Sequence, residues 1–258
     1  MDDEFVSPDK WINYMASMMG KTVEDFGISS TVIVTWSSRI AKALAESMGA
    51  APLESWIYNW MLSSYKGSVG DSEITIVQSM IGAPGTITQM EELIACGADT
   101  VIGFGIAGSL QSTSPVGSLV VPEECIREEG TSHHYLPEDV RVTCDREIRD
   151  IFRSVAEELQ VEVSFGPHWT IDAPYRELRS KVQDYAQQGV LAVEMETSAM
   201  YALAQFREIR ACNLLVISDE LWKEWKPAFG TPELKEGIDD GIDFLVEALK
   251  RVVQGRAT

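Results

Sequence analysis

Basic residues are scarce. The chain's 258 residues include 21 Lys and Arg against 40 Asp and Glu, a formal net charge of −19. A nucleic-acid groove needs clustered cations, so this balance argues against a nucleic-acid partner. There are four cysteines, Cys96, Cys125, Cys144 and Cys212, and no two have CxxC spacing. Free thiols in a reducing compartment follow, and with them a cytoplasmic location. The three histidines, His133, His134 and His168, lack metal-ligand spacing, and no metal or other cofactor is expected. No apolar run is long enough to cross a bilayer, and the acidic opening MDDEFVSPDK lacks the apolar stretch of a signal peptide. A membrane partner is therefore not expected. No linker, low-complexity tract or internal repeat divides the chain.

The 45% hydrophobic content suffices for one large core. Residues 1–30 carry Trp11, Ile12, Tyr14, Met15, Met18 and Met19 at helical spacing, which predicts an N-terminal helical extension. The main domain, 31–258, begins with the apolar strand TVIVT at Thr31–Thr35. Ser37 or Ser38 is suited to cap the helix that follows. Trp56 to Tyr65 is a dense aromatic and apolar patch, suited to core packing or to an oligomer face, before a turn expected at Lys66–Gly67. Strands then alternate with amphipathic helices as far as a last helix over 232–253. The fold class expected is α/β, a single domain with a central twisted mixed sheet flanked by helices.

Two stretches stand out. In GVLAVEMETSAMYALAQFREIRACNLLVISDE, residues 189–220, two apolar strands enclose a helix, and each strand ends in carboxylates. Ligands of open α/β sheets bind at the carboxyl ends of strands. The second stretch, Gly103-Phe104-Gly105-Ile106-Ala107-Gly108, matches GxGxxG in form. The helix that should follow is replaced by SLQSTSPVGSLVVP, which argues against a dinucleotide cofactor. Glycines after a strand still let backbone approach a small ligand closely.

GAPGTITQMEELIACGADTVIGFGIAGSL, PVGSLVVPEECIREEGTSHHYLP, GVLAVEMETSAMYALA and VISDE, in that order, resemble the nucleoside phosphorylase family. That family includes purine nucleoside and uridine phosphorylases and the hydrolytic methylthioadenosine/S-adenosylhomocysteine nucleosidases. The resemblance implies a small-molecule nucleoside partner, with Met195 packing on the ribose and Glu196 accepting from its hydroxyls. It places Asp219, after Ser218, beside N7 of a purine. It also assigns the base loop to Trp169–Tyr175, where Pro174 stands in place of the family's stacking Phe, leaving Trp169 or Tyr175 to supply the aromatic face. A homodimer, or a hexamer made of three dimers, is implied as well.

The chemistry of that bond supports the assignment. Breaking an N-glycosidic bond leaves positive charge on the sugar and negative charge on the base. A carboxyl that carries a proton offsets the second, and a carboxylate gripping the diol favours the first. Burial of Asp219 would suit it to the acid role, while Glu194 reads as a structural partner.

The phosphate site departs from the family pattern. Arg39 survives in Thr35-Trp36-Ser37-Ser38-Arg39, but the glycine of that loop is lost. Gly103 stands where a second arginine belongs, Ile106 replaces a hydroxyl residue beside Gly105 and Ala107, and Trp56 falls where a third arginine is expected. The sequence therefore favours hydrolysis, with water as nucleophile. The alternatives are a phosphorylase drawing on Arg127, Arg176 or Lys226, and a non-catalytic nucleoside-binding protein. His133 and His134 are candidates for moving a proton or positioning water.

Overall fold

The computed structural model describes residues 5–255, and the outermost ends of the two expected segments, 1–4 and 256–258, lie outside them. Helix α1 (Pro8–Met18) starts under a Ser7 cap with Pro8 in its first turn, where a missing N–H goes unused. The apolar run Thr31–Thr35 is β1, buried at all five positions. Ser37 caps α2 (Ser38–Ser47), its hydroxyl accepting from the Ile40 N–H at 3.4 Å.

Strands β2 (Ala51–Pro52), β3 (Ser64–Val69) and β4 (Ser72–Gln78) pair antiparallel in sequence. β3 runs straight through Lys66–Gly67. The turn expected there falls instead at 70–71, where Gly70 adopts a left-handed φ of 59° that favours glycine. The aromatic patch divides: Trp56, Ile57 and Leu62 are buried, while Trp60 and Met61 are exposed.

The chain continues through α3 (Ala83–Ala95), β5 (Thr100–Ser109), β6 (Leu119–Glu128), β7 (Val142–Thr143) and α4 (Arg146–Leu159). It ends with β8 (Val163–Ile171), α5 (Arg179–Gln187), β9 (Ala192–Glu194), α6 (Thr197–Arg207), β10 (Arg210–Glu220), β11 (Lys226–Pro227) and α7 (Pro232–Gln254). The glycine-rich stretch 103–108 is not a loop, because it lies within β5.

All these strands join one mixed sheet. Part of it closes on itself, since β5 pairs β10, β10 pairs β6, β6 pairs β8, β8 pairs β9 and β9 returns to β5. Alternation along β10 separates two cores. Leu215 and Ile217 join Ala107, Val120 and Ala192 in a cluster contributed by the ring strands, while Leu214 and Val216 belong to the main core shared with the helices.

The site lies where β5 changes partners. β1 pairs β5 along Thr100–Gly103, and β9 pairs it at Gly108–Ser109. Between them Gly105, Ile106 and Ala107 have no neighbour on that side, and a cavity opens at this switch.

Candidate active site

The cavity has a volume of about 730 Å³, within the range of small-molecule sites. One wall comes from the end of β1 and the start of α2, through Thr35, Trp36, Ser37 and Ile40. Its floor is Gly105 to Gly108, and the far wall is Val193 to Glu196 with Ser218 and Asp219. Gly108 pairs with Val193 on one side and Asp219 on the other. Glu196 and Asp219 therefore flank β5 from either side.

Glu196 is buried just before α6. Its carboxylate accepts from the Gly82 N–H and, at 3.2 Å, from the Met195 N–H. Glu194 is the true cap of that helix, because one of its oxygens accepts from the Glu196 and Thr197 N–H groups at 2.7 and 2.8 Å. Its other oxygen accepts from the Thr170 hydroxyl at 2.7 Å and lies 3.5 Å from His168 Nε2. Burial opposes ionisation of Glu194, yet the His168 imidazole, the Thr170 hydroxyl and the Glu196 amide hold it below the usual carboxylate range. Burial, and then the charge of Glu194, push Glu196 well above that range.

Asp219 is half-buried, not buried. Its Oδ1 accepts from the Ser218 hydroxyl at 2.7 Å and its Oδ2 from the Trp225 indole N–H at 2.9 Å. Trp225 reaches back because β10 and β11 form a hairpin that pairs Asp219 with Pro227. A side chain on Gly108 would meet Leu221 at 2.5 Å and Asp219 at 3.3 Å, so glycine makes room for both. Glu220, the last carboxylate of the strand, turns aside to Lys226 at 3.1 Å.

Several expected residues lie elsewhere. Trp169 is fully buried outside the cavity, donating to Glu128 and packing edge-on against Tyr185. Along β8 the side chains alternate, and this one packs in a separate apolar cluster with Leu110, Ile171, Val182 and Val190. Pro174 and Tyr175 do line the cavity, Tyr175 fully exposed at its mouth, and the aromatic lining comes also from Trp225 and Phe229. Neither Trp225 nor Phe229 carried any sequence signal beyond its residue type.

Arg39 is exposed and absent from the lining. One turn of helix explains this: Ser37 and Ile40 face the cavity, and Arg39 between them points away. Trp36 occupies the neighbouring space, anchored by its indole N–H to the Thr86 hydroxyl at 2.8 Å. A side chain on Gly105 would stand 2.7 Å from its ring. Arg127 is spent on the Ser132 hydroxyl and three backbone carbonyls, Arg176 does not line the cavity, and Lys226 pairs with Glu220. The cations that do line it, Arg179 and Lys223, were not anticipated. His133 and His134 are exposed outside the cavity.

Fold and cavity together define an α/β protein with a small-molecule site at its strand ends. Residues 33–252 match the model of the phosphorylase superfamily, and the chain belongs to that family. It is 30% identical over 187 residues to a guanosine phosphorylase of Halorubrum lacusprofundi, covering 72% of this chain and 76% of that one. It is 27% identical over 202 residues to a uridine phosphorylase of Treponema pallidum, covering 74% and 77%. Among solved structures, a uridine phosphorylase of Vibrio fischeri superposes with a TM-score of 0.80 at 25% identity, covering 92% of this chain and 99% of that one. No helix among the described residues is long and apolar enough to cross a membrane.

Proposed function

We propose that this protein cleaves the N-glycosidic bond of a purine-type nucleoside with phosphate as nucleophile, releasing free base and ribose 1-phosphate. The observation that carries this reading is the convergence of Met195–Glu196 and Ser218–Asp219 on one cavity from either side of β5. Glu196 meets the ribose diol, Met195 packs on the sugar, and Asp219 holds the base side. The named relatives, a guanosine phosphorylase among them, support phosphate over the water that the missing arginines suggest. We assign phosphate to the amino end of α2, where Thr35 and Ser37 bring hydroxyls to the cavity and a helix N-terminus favours an anion.

Hydrolysis stands as the second reading because Trp36, Ile40 and Ile106 make that end of the cavity apolar and Arg39 lies outside it. Incubating purine and pyrimidine nucleosides with and without phosphate, and resolving the bases by chromatography, separates the two. Base release only with phosphate, and faster from purines, is the expected result. Equal release without phosphate would establish a nucleosidase.

The assembly belongs to the same proposal: a cytoplasmic homodimer, or a hexamer made of three dimers. Trp11, Tyr14 and Met18 of α1 are exposed, as are Trp60 and Met61. Tyr58, two positions before Trp60, donates to Glu92 on α3, the helix against which α1 packs. An apolar face of that kind suits a second copy of the chain.

A further inference from the structure

The base end of the cavity holds a second carboxyl. Asp219 accepts a hydrogen bond at each oxygen, from Ser218 and from Trp225. Donors at both oxygens leave Asp219 acting as a hydrogen-bond acceptor. Glu177 stands just before α5, beyond the single turn Pro174–Arg176, and lines the same cavity as Asp219. Among the described residues no hydrogen bond or ion pair to its side chain is formed. Burial, and then the charge of Asp219, push Glu177 up to about 7. The other charged groups lining this cavity are Arg179, Lys223, Glu224, Glu194 and Glu196.

We propose that Glu177 delivers the proton to the leaving base, with Asp219 remaining a hydrogen-bond acceptor beside it. The inference rests on the nucleoside-cleaving reading above. The bond between C1′ and the base nitrogen breaks, and its electron pair passes to the base. A ring nitrogen of the purine imidazole takes the proton from the Glu177 carboxyl, while a phosphate oxygen bonds to C1′. Glu177 is left as a carboxylate and regains its proton from solvent. The two carboxyls divide the work because neighbouring like charges cannot both ionise cheaply.

The test compares inosine with 7-methylinosine, whose imidazole ring already bears the positive charge and needs no proton. Phosphate-dependent base release is measured for the wild type and Glu177→Gln across pH 5–9. The wild type is expected to lose kcat/KM on inosine as pH rises through about 7. Glu177→Gln is expected to lose that pH limb and to fall about 100-fold on inosine, and at least tenfold less on the methylated substrate. Activity on 7-methylinosine also shows that the variant is folded. Equal losses on the two substrates, or no loss on inosine, would overturn the proposal while leaving the nucleoside-cleaving reading intact. No base from either substrate with the wild type would remove both.

Discussion

Glu194 and Glu196 show how two carboxyls two positions apart come to different tasks. Glu194 receives two backbone N–H groups, a hydroxyl and an imidazole contact, and is held below the usual carboxylate range. Glu196 receives the Gly82 and Met195 amides and faces the cavity. Changing Glu196 to Ala or Asp219 to Asn is expected to lower kcat/KM for guanosine by about 10²- to 10⁴-fold, with the circular dichroism spectrum unchanged. A loss below about tenfold would remove that residue from the chemistry. The residue types at 194–196 and 218–219 were legible in the sequence through the resemblance they carry. The place of Trp169 was not, since a strand's alternation fixes two faces but not which one meets the ligand. Glu177 also escaped notice, because its importance depends on a neighbour 42 positions away in the sequence.

At the scale of the element, strong periodicity was readable. β1 and α7 lie where the apolar pattern puts them. The two-residue strands β2, β7 and β11 were not, because so short a strand has no period to read, and β11 is what folds Trp225 onto Asp219. Two predictions concern helix packing. Glu194→Gln keeps the shape of the α6 cap and removes its charge, and is expected to destabilise by about 1–3 kcal/mol at pH 7 in urea melts. Because Glu194 is held below its ordinary value of 4.5, its contribution is present above that pH and lost as pH falls through the lower folded value. The gap between wild type and variant should therefore shrink in acid.

Glu92, between α3, Tyr58 and Trp11, behaves oppositely. Burial raises it to about 7, its hydrogen bond from Tyr58 only partly opposing. Its contribution is present below 4.5 and lost as pH rises through about 7. Glu92→Gln should raise Tm by about 2–4 °C at pH 8 and leave it unchanged at pH 4.5, measured by calorimetry. An equal shift at both would show that charge is not the cause.

For the molecule as a whole, the cavity exists because β5 exchanges β1 for β9 along its length. Alternating strands and helices made the α/β class readable, but closure of part of the sheet into a ring depends on pairings among strands far apart in sequence. The exposed aromatics of α1 and of 60–61 give the assembly its test. Sedimentation is expected to show an oligomer that Trp60→Glu weakens, and a wild-type monomer would refute the proposed interface. This one cavity is proposed to break an N-glycosidic bond with phosphate. The most direct test incubates guanosine and phosphate with the wild type and with Glu196→Ala, and identifies the sugar product by mass. Guanine and ribose 1-phosphate from the wild type, and at least about 100-fold less from the variant, are predicted. Free ribose as the product, equal yields from the two proteins, or no guanine at all would contradict it.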